Sequence, residues 1–176
     1  EAFRLIEIVA VAGHPVRQID AFRAANVDTS MHETLNSLRV SRLIRSQGGD
    51  KDDLIETYHD RVRESVIHRI TEARQRECHL KIAHALERAG NVADDATLAR
   101  HLSAGGEAHR ASGHYAAAAK SATDALAFDR AVGYYRSALD LGEWTESEER
   151  ALRRALANSL ADAGRGIEAA EEFNRA

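Results

Sequence analysis

The side chains able to do chemistry fall into four groups, and their spacing limits what each can do. Cys78, His79 and His84 lie close together, with His101 further on, so a zinc-type site is the first chemistry to weigh. Cys78 and His79 are adjacent, which places them about 100° apart around a helix. None of the spacings CxxC, HxxxH or HExxH, which converge ligands on one ion, occurs. The nine histidines therefore read as surface and helix-packing residues, and Cys78 as a small core residue. His59 and Asp60 form a second polar pair, with Asp60 a favoured residue type for capping a helix. Arg39, Arg42 and Arg45 form a third group, of phosphate-binding type. Lys120, Thr123, Asp124, Arg154, Asn158 and Asp162 form the fourth. They are polar residues suited to holding a peptide terminus or an acidic segment, or equally to lining a solvated face. No catalytic, cofactor-binding or metal-ligating residue is assigned.

The elements that must position these groups are helical. The chain has 176 residues, 44% apolar and 30% charged, with Pro15 its only proline. That composition favours long helices, since proline costs about 3 kcal/mol in a helix interior and alanine the least of any residue. No apolar run approaches the roughly 20 residues a membrane span needs, and no signal peptide is visible. A lone Cys78 forms no internal disulfide, which suits a reducing, cytoplasmic setting. The net charge of −4 comes from 24 basic and 28 acidic residues. Their balance on both sides of residue 71 lacks the basic excess of a general nucleic-acid binder.

Over residues 1–71, Phe3, Ile6, Val9 and Ala10 recur at helical spacing until Gly13. Pro15 is expected to open a second helix to about Ala25, with Val16, Ile19 and Phe22, and also Arg23, on one side. Ser30 and Glu33 have the spacing of a capping box, followed by the stripe Met31, Leu35, Leu38 and a helix end near Ser41. Leu43–Ser46 and Leu54–Tyr58 are β-prone runs around Gln47-Gly48-Gly49-Asp50-Lys51-Asp52-Asp53, which predicts a hairpin. Val62, Val66 and Ile70 then mark a closing helix. Three helices, a hairpin and a helix predict a winged-helix-like domain. In such a domain the third helix commonly enters the DNA major groove. Here Asp28 and Glu33 at the helix start, and Asp50, Asp52 and Asp53 in the hairpin turn, oppose phosphates. A solvated or domain-docking face is the better reading for Arg39, Arg42 and Arg45.

Residues 72–176 read as helical throughout. Leu80, Ala83 and Leu86 lead to a break at Gly90-Asn91, and Leu98, His101 and Leu102 to one at Gly105-Gly106. An Ala-rich stretch over 107–126 carries Tyr115. Ala131, Tyr135, Ala138 and Leu139 have counterparts in Ala169, Phe173 and Ala176. Leu156, Ala157, Leu160 and a bend at Gly164 complete the later unit, and Thr145 with Glu148 gives a capping box. The offset from Ala131 to Ala169 is 38 residues, longer than the roughly 34 of a tetratricopeptide repeat. The loop around Gly142-Glu143-Trp144, or a longer helix, would hold the excess. The expected architecture is mainly α: a winged-helix-like domain over 1–71 and a tetratricopeptide-like array over 72–176. Arrays need neighbours, so the open face of the last repeat is expected to be covered by self-association or by further repeats.

The run Tyr58-His59-Asp60-Arg61-Val62-Arg63-Glu64-Ser65-Val66 resembles the phrase closing the winged-helix region of large bacterial signalling ATPases of the STAND class. The segment that follows is similar as well: Arg76, His79, Ile82-Ala83, Ala85-Leu86-Glu87, Leu98-Ala99, His101-Leu102 and Ala104-Gly105. The resemblance implies a nucleotide-binding domain upstream, using ATP and Mg, and in one subset a serine/threonine kinase domain. It also implies that His59 senses the nucleotide state, whereas the residues alone admit a hairpin-to-helix corner capped by Asp60. Glu1 opens inside a helix without an initiating Met, which reads as an excerpt of a longer protein. Neither a Walker A loop nor kinase motifs occur in the chain, so ATPase or kinase activity would belong to the parent. The expected function is a non-catalytic interaction and regulatory segment of such an ATPase or kinase. Its expected partners are the upstream nucleotide-binding domain and a protein or peptide in the repeat groove. The rival reading is a DNA-binding transcriptional regulator acting through the winged helix.

Overall fold

Helices dominate because most of the chain repeats apolar residues at helical spacing, and a single short sheet forms where β-branched residues flank tight turns. The computed structural model describes residues 1–27, 31–46, 48, 50–89 and 94–176, apart from the side chain of Met31. Among these, ten helices and one three-stranded sheet divide into two compact units, Glu1–Asn91 and Val92–Ala176.

In the first unit, α1 (Ala2–Ala12) buries Leu5, Ile6 and the run Ile8 to Ala12, and Gly13 ends it at φ +71°. Phe3, expected on the buried stripe, is 83% exposed. Pro15 does not open a helix. Val16–Arg17 form strand β1 instead, and α2 (Gln18–Ala25) starts three residues later than expected. The cause is competition for backbone groups. Val16 pairs with Ile55, and the N–H groups of Gln18 and Ile19 donate to the carbonyls of Asp53 and Lys51 at 2.9 Å. The first helical donors, which α2 itself cannot satisfy, are thus met by the hairpin turn.

Helix α3 (Met31–Val40) leads into β2 (Ile44–Ser46) and β3 (Leu54–Thr57), an antiparallel pair as expected. The sheet order is β1-β3-β2, so Ile55, fully buried, sits on the central strand. The expected Ser30–Glu33 capping box, the Asp28 beside it and the turn residues Gln47 and Gly49 lie wholly or partly outside the described residues.

Helix α4 (Asp60–Arg69) packs Val62 and Val66 half-buried on the core. Helix α5 (Glu72–Arg88) is capped by Thr71, whose side chain accepts from the Arg74 N–H at 3.2 Å. Its Cys78, Ile82 and Ala85 share one core with Leu5, Phe22, Ile44 and Ile55, while Leu80 and Leu86 are half-buried. Arg74 adds an ion pair to Glu7 of α1 at 2.6 Å. The first compact unit therefore includes α5, and the division falls one helix later than the boundary expected at residue 71. The expected break at Gly90-Asn91 lies outside the described residues.

The second unit is a run of helices, α6 (Asp95–Gly105), α7 (Ala108–Asp124), α8 (Phe128–Leu141), α9 (Glu146–Asp162) and α10 (Gly166–Arg175). Each packs on the next in sequence. The turns after α6, α7 and α9 share one geometry. Gly106, Leu126 and Gly164 have φ of +93°, +58° and +76°. The N–H of each donates to the carbonyl three residues back, and the next N–H to the carbonyl five back from itself, all at 2.8–3.0 Å. This is the Schellman stop, which satisfies carbonyls the helix leaves open. Thr145 and Glu148 form the expected capping box before α9. In the loop preceding it, Trp144 Nε1 donates to the Ala138 carbonyl at 2.9 Å. His101 is fully buried in α6, beside Leu98 and Leu102.

Leu126 is 74% exposed and stands where Gly stands in the other two turns. Left-handed backbone costs a Cβ-bearing residue about 1–2 kcal/mol. Leu126→Gly is thus expected to raise the denaturation midpoint, and Gly164→Ala to lower it, the latter by a loss of about 1 kcal/mol in stability. Urea titrations of the two variants moving in the same direction would contradict this account.

Candidate functional site

Two surfaces gather the polar residues singled out above. The first, in the Glu1–Asn91 unit, is a polar cleft of about 190 Å³ lined by Gly13, His14, Arg45, Glu56, His59, Asp60 and Arg63 among others. It exists because α1 stops at Gly13 where α4 begins. Arg63 Nε donates to the Ala10 carbonyl at 3.1 Å, a cation on the negative end of α1. A Cβ on Gly13 would come within 3.2 Å of the Arg63 guanidinium. Arg45 and Glu56 are directly paired across the strands and form an ion pair at 2.9 Å. His14 Nδ1 donates to the Pro15 carbonyl at 2.9 Å.

His59 and Asp60 both border this cleft, with one difference from expectation. The cap position belongs to His59, in extended backbone at φ −145°, and its side chain makes no capping bond. Asp60 is the first helical residue, so its carboxylate acts on the helix dipole rather than as the cap. The exposed His59 ring stands edge-on to Tyr58, with centroids 4.7 Å apart. Four cationic or protonatable groups and two carboxylates around one concavity suit recognition of a charged surface.

The three arginines of the DNA reading are differently engaged. Arg39 donates to Ser46 Oγ and to the Gly48 carbonyl, and Arg45 is held by Glu56. Arg42 is exposed in left-handed backbone at φ +52°. Cys78 lies in the core of the first unit, where burial pushes its thiol pKa up and disfavours the thiolate. His79 is half-buried and His84 exposed on the same helix. Among the described residues, no three His, Cys, Asp or Glu side chains converge in a way that could hold a metal ion.

The second surface lies on α7 and α9. Lys120 and Asp124 are exposed and pair with each other at 2.9 Å. Thr123 is turned inward: its hydroxyl donates to the Ala119 carbonyl at 3.0 Å and lies 3.3 Å from Ser159 Oγ of α9. Arg154, Asn158 and Asp162, at successive four-residue steps, form one exposed stripe along α9. Sequence reasoning missed Ser159. It is fully buried, its hydroxyl donating to the Ala155 carbonyl at 3.0 Å and lying 3.3 Å from the Thr123 hydroxyl of α7. The available signal was a serine between Ala157 and Leu160, on a face otherwise apolar. Nearby, Glu168 of α10 is gripped by Arg165 and by Arg136 of α8, each at 2.7 Å. These two guanidiniums hold its carboxyl at a pKa of about 2.

No protein-family model matches the chain, and no curated protein or solved structure matches it. Among the described residues, no helix is long and apolar enough to cross a membrane.

Arg63→Gln is expected to cost about 1 kcal/mol by removing the cation from the end of α1. Gly13→Ala should also destabilise, through its positive φ and the contact with Arg63. Chemical denaturation of either variant matching the parent would refute the stated role.

Glu168 gives a pH signature. Its folded pKa lies below the unfolded carboxylate value, so its contribution is present above about pH 4.5. The contribution fades as pH falls toward 2, where the folded carboxyl takes up its proton. Glu168→Gln should therefore flatten the acid limb of a stability-against-pH curve in that window. An unchanged limb would count against the Arg136–Glu168–Arg165 clamp.

Proposed function

We propose that this chain is a non-catalytic interaction and regulatory segment of a larger bacterial signalling ATPase or serine/threonine kinase, working in the cytoplasm. In this reading the first unit is winged-helix-like, with β2 and β3 as the wing. The second unit is a tetratricopeptide-like array that receives a protein or peptide partner. The observation that carries the reading is the 38-residue equivalence within the second unit. Ala125, Leu126 and Ala127 take nearly the same backbone angles as Ala163, Gly164 and Arg165. Ala119, Ala131 and Tyr135 match Ala157, Ala169 and Phe173 at the same offset. Repetition of a helix pair lines up first helices side by side, and the Thr123–Ser159 contact between α7 and α9 accords with that arrangement.

The mechanism is a shift of populations. The cleft around His59 and Asp60 meets an upstream nucleotide-binding domain, which holds the ATP and Mg. A partner on the α7–α9 face, contacting Arg154, Asn158 and Asp162 together with Lys120 and Asp124, then binds one state better than the other. That differential affinity, rather than contact alone, moves the equilibrium. The exposed Ile167 and Phe173 on α10, 83% and 48% exposed, offer the self-association surface.

A displayed random-peptide library selected on the purified chain tests this reading. Selected peptides should lose at least tenfold in affinity on Arg154→Glu with Asn158→Ala, while the melting curve stays unchanged, since both residues are exposed. Peptides indifferent to those changes, or ATP turnover by the highly purified chain, would sink it.

A further inference from the structure

A second cleft in the Glu1–Asn91 unit lies on the α2–α5 packing and has no part in the reading above. Its volume is about 280 Å³, and its lining includes Arg23, Asn26, Lys81, His84 and Arg88. Arg23 comes from the last turn of α2. Lys81, His84 and Arg88 follow one another at three- and four-residue steps, so they share one face of α5. Its apolar lining is Ala24 and Ala85, whose small side chains leave open the floor beneath the cationic groups. Three permanent cations and an imidazole thus surround one concavity in a chain whose net charge is −4.

The nearby acids do not cancel this field. Asp20 is largely buried and is held by Arg17 at 2.7 Å, with Arg23 further off at 3.5 Å. Glu77 is divided between Arg74 and Lys81, each at 2.7 Å. His84 and Arg88 are exposed, and no ion pair engages them among the described residues. A single carboxylate brings only one negative charge to these cations. A phosphate group offers several oxygens and up to two charges, and guanidinium forks match it in geometry. The lining contains no Phe, Tyr or Trp ring for a nucleobase to stack on. We infer that the Arg23–Lys81–His84–Arg88 cleft binds the phosphate group of a phosphate monoester or a pyrophosphate.

The test is titration of the whole chain at low salt, followed by calorimetry and by amide chemical shifts. The probes are inorganic phosphate, pyrophosphate, and a phosphoserine peptide beside its unphosphorylated twin. Saturable binding is expected, with shifts centred on Arg23, Asn26, Lys81 and Arg88. Arg23→Gln with Arg88→Gln should weaken it at least tenfold without moving the melting curve, because both side chains are exposed. Arg88→Lys, which keeps the charge but loses the fork, should weaken binding less than Arg88→Gln and guards against a folding artefact. Preference for pyrophosphate would identify a small anion as the source, and preference for the phosphopeptide a phosphorylated chain. Absence of saturation by every probe at about 10 mM, shifts centred elsewhere, or affinity unchanged in the double variant would each overturn the inference.

Discussion

The left-handed residue that stops a helix is the constraint on which both units depend. Asn26, Arg42, Gly106, Leu126 and Gly164 all have positive φ, and at each one the following N–H donates to the carbonyl five residues before it. The stop fixes where a helix ends and the direction in which the chain leaves. The next helix can then pack back on its predecessor within two or three residues. Only Gly adopts this backbone without penalty. The structure accepts Leu126 and Arg42 there because the bonds that close the turn, and the packing that follows, outweigh the local cost.

What lets the second unit close up after each stop is small side-chain volume. Ala111, Ala119, Ala131, Ala138 and Ala157 are fully buried and Ala169 nearly so, and few large residues share their core. An alanine removes little apolar area from water, so its transfer contribution is modest. Its value lies in distance: without a longer side chain, two helix backbones approach toward the short end of the usual 8–10 Å separation. Backbone atoms then make the dispersion contacts. Where the packing is this close, a hydroxyl can be buried only with a partner at hand. Ser159 meets that condition through the Ala155 carbonyl.

Much of this was legible in the sequence, for reasons that differ by element. The Gly13 and Gly164 stops, the β2–β3 hairpin and the Thr145–Glu148 capping box are local devices, encoded within a few residues. Strand β1 was not legible. Whether Val16 pairs with Ile55 depends on a strand nearly forty residues away, and Pro15 before it reads equally well as a helix opener. The placement of α5 was lost for a related reason. The stripe Leu80, Ala83 and Leu86 buries Ala83 fully and the two leucines only in part, while Cys78, Ile82 and Ala85 are buried beside it. A helix rich in apolar residues presents more than one plausible face, and only its neighbours select between them. The candidate site residues were legible as types. Their pairings, such as Arg63 on the end of α1 or Lys120 with Asp124, are tertiary or rotameric facts that residue type does not specify.

The distribution of charge bears on what such a chain can do. Lys120, Asp124, Arg150 and Glu146 are all substantially exposed, and their ion pairs run along helices at the surface. Such pairs add little stability in water, because solvent screens them and long side chains lose entropy in making them. Their effect is to fix which sign of charge each face shows. A catalytic centre needs the opposite arrangement, with charge desolvated and aimed at one reacting atom. In the proposed reading, ionisable groups spread over open helix faces would serve selection of a partner surface. In such a design the rigid part is the stack, and discrimination rests with side chains that can be exchanged without disturbing it.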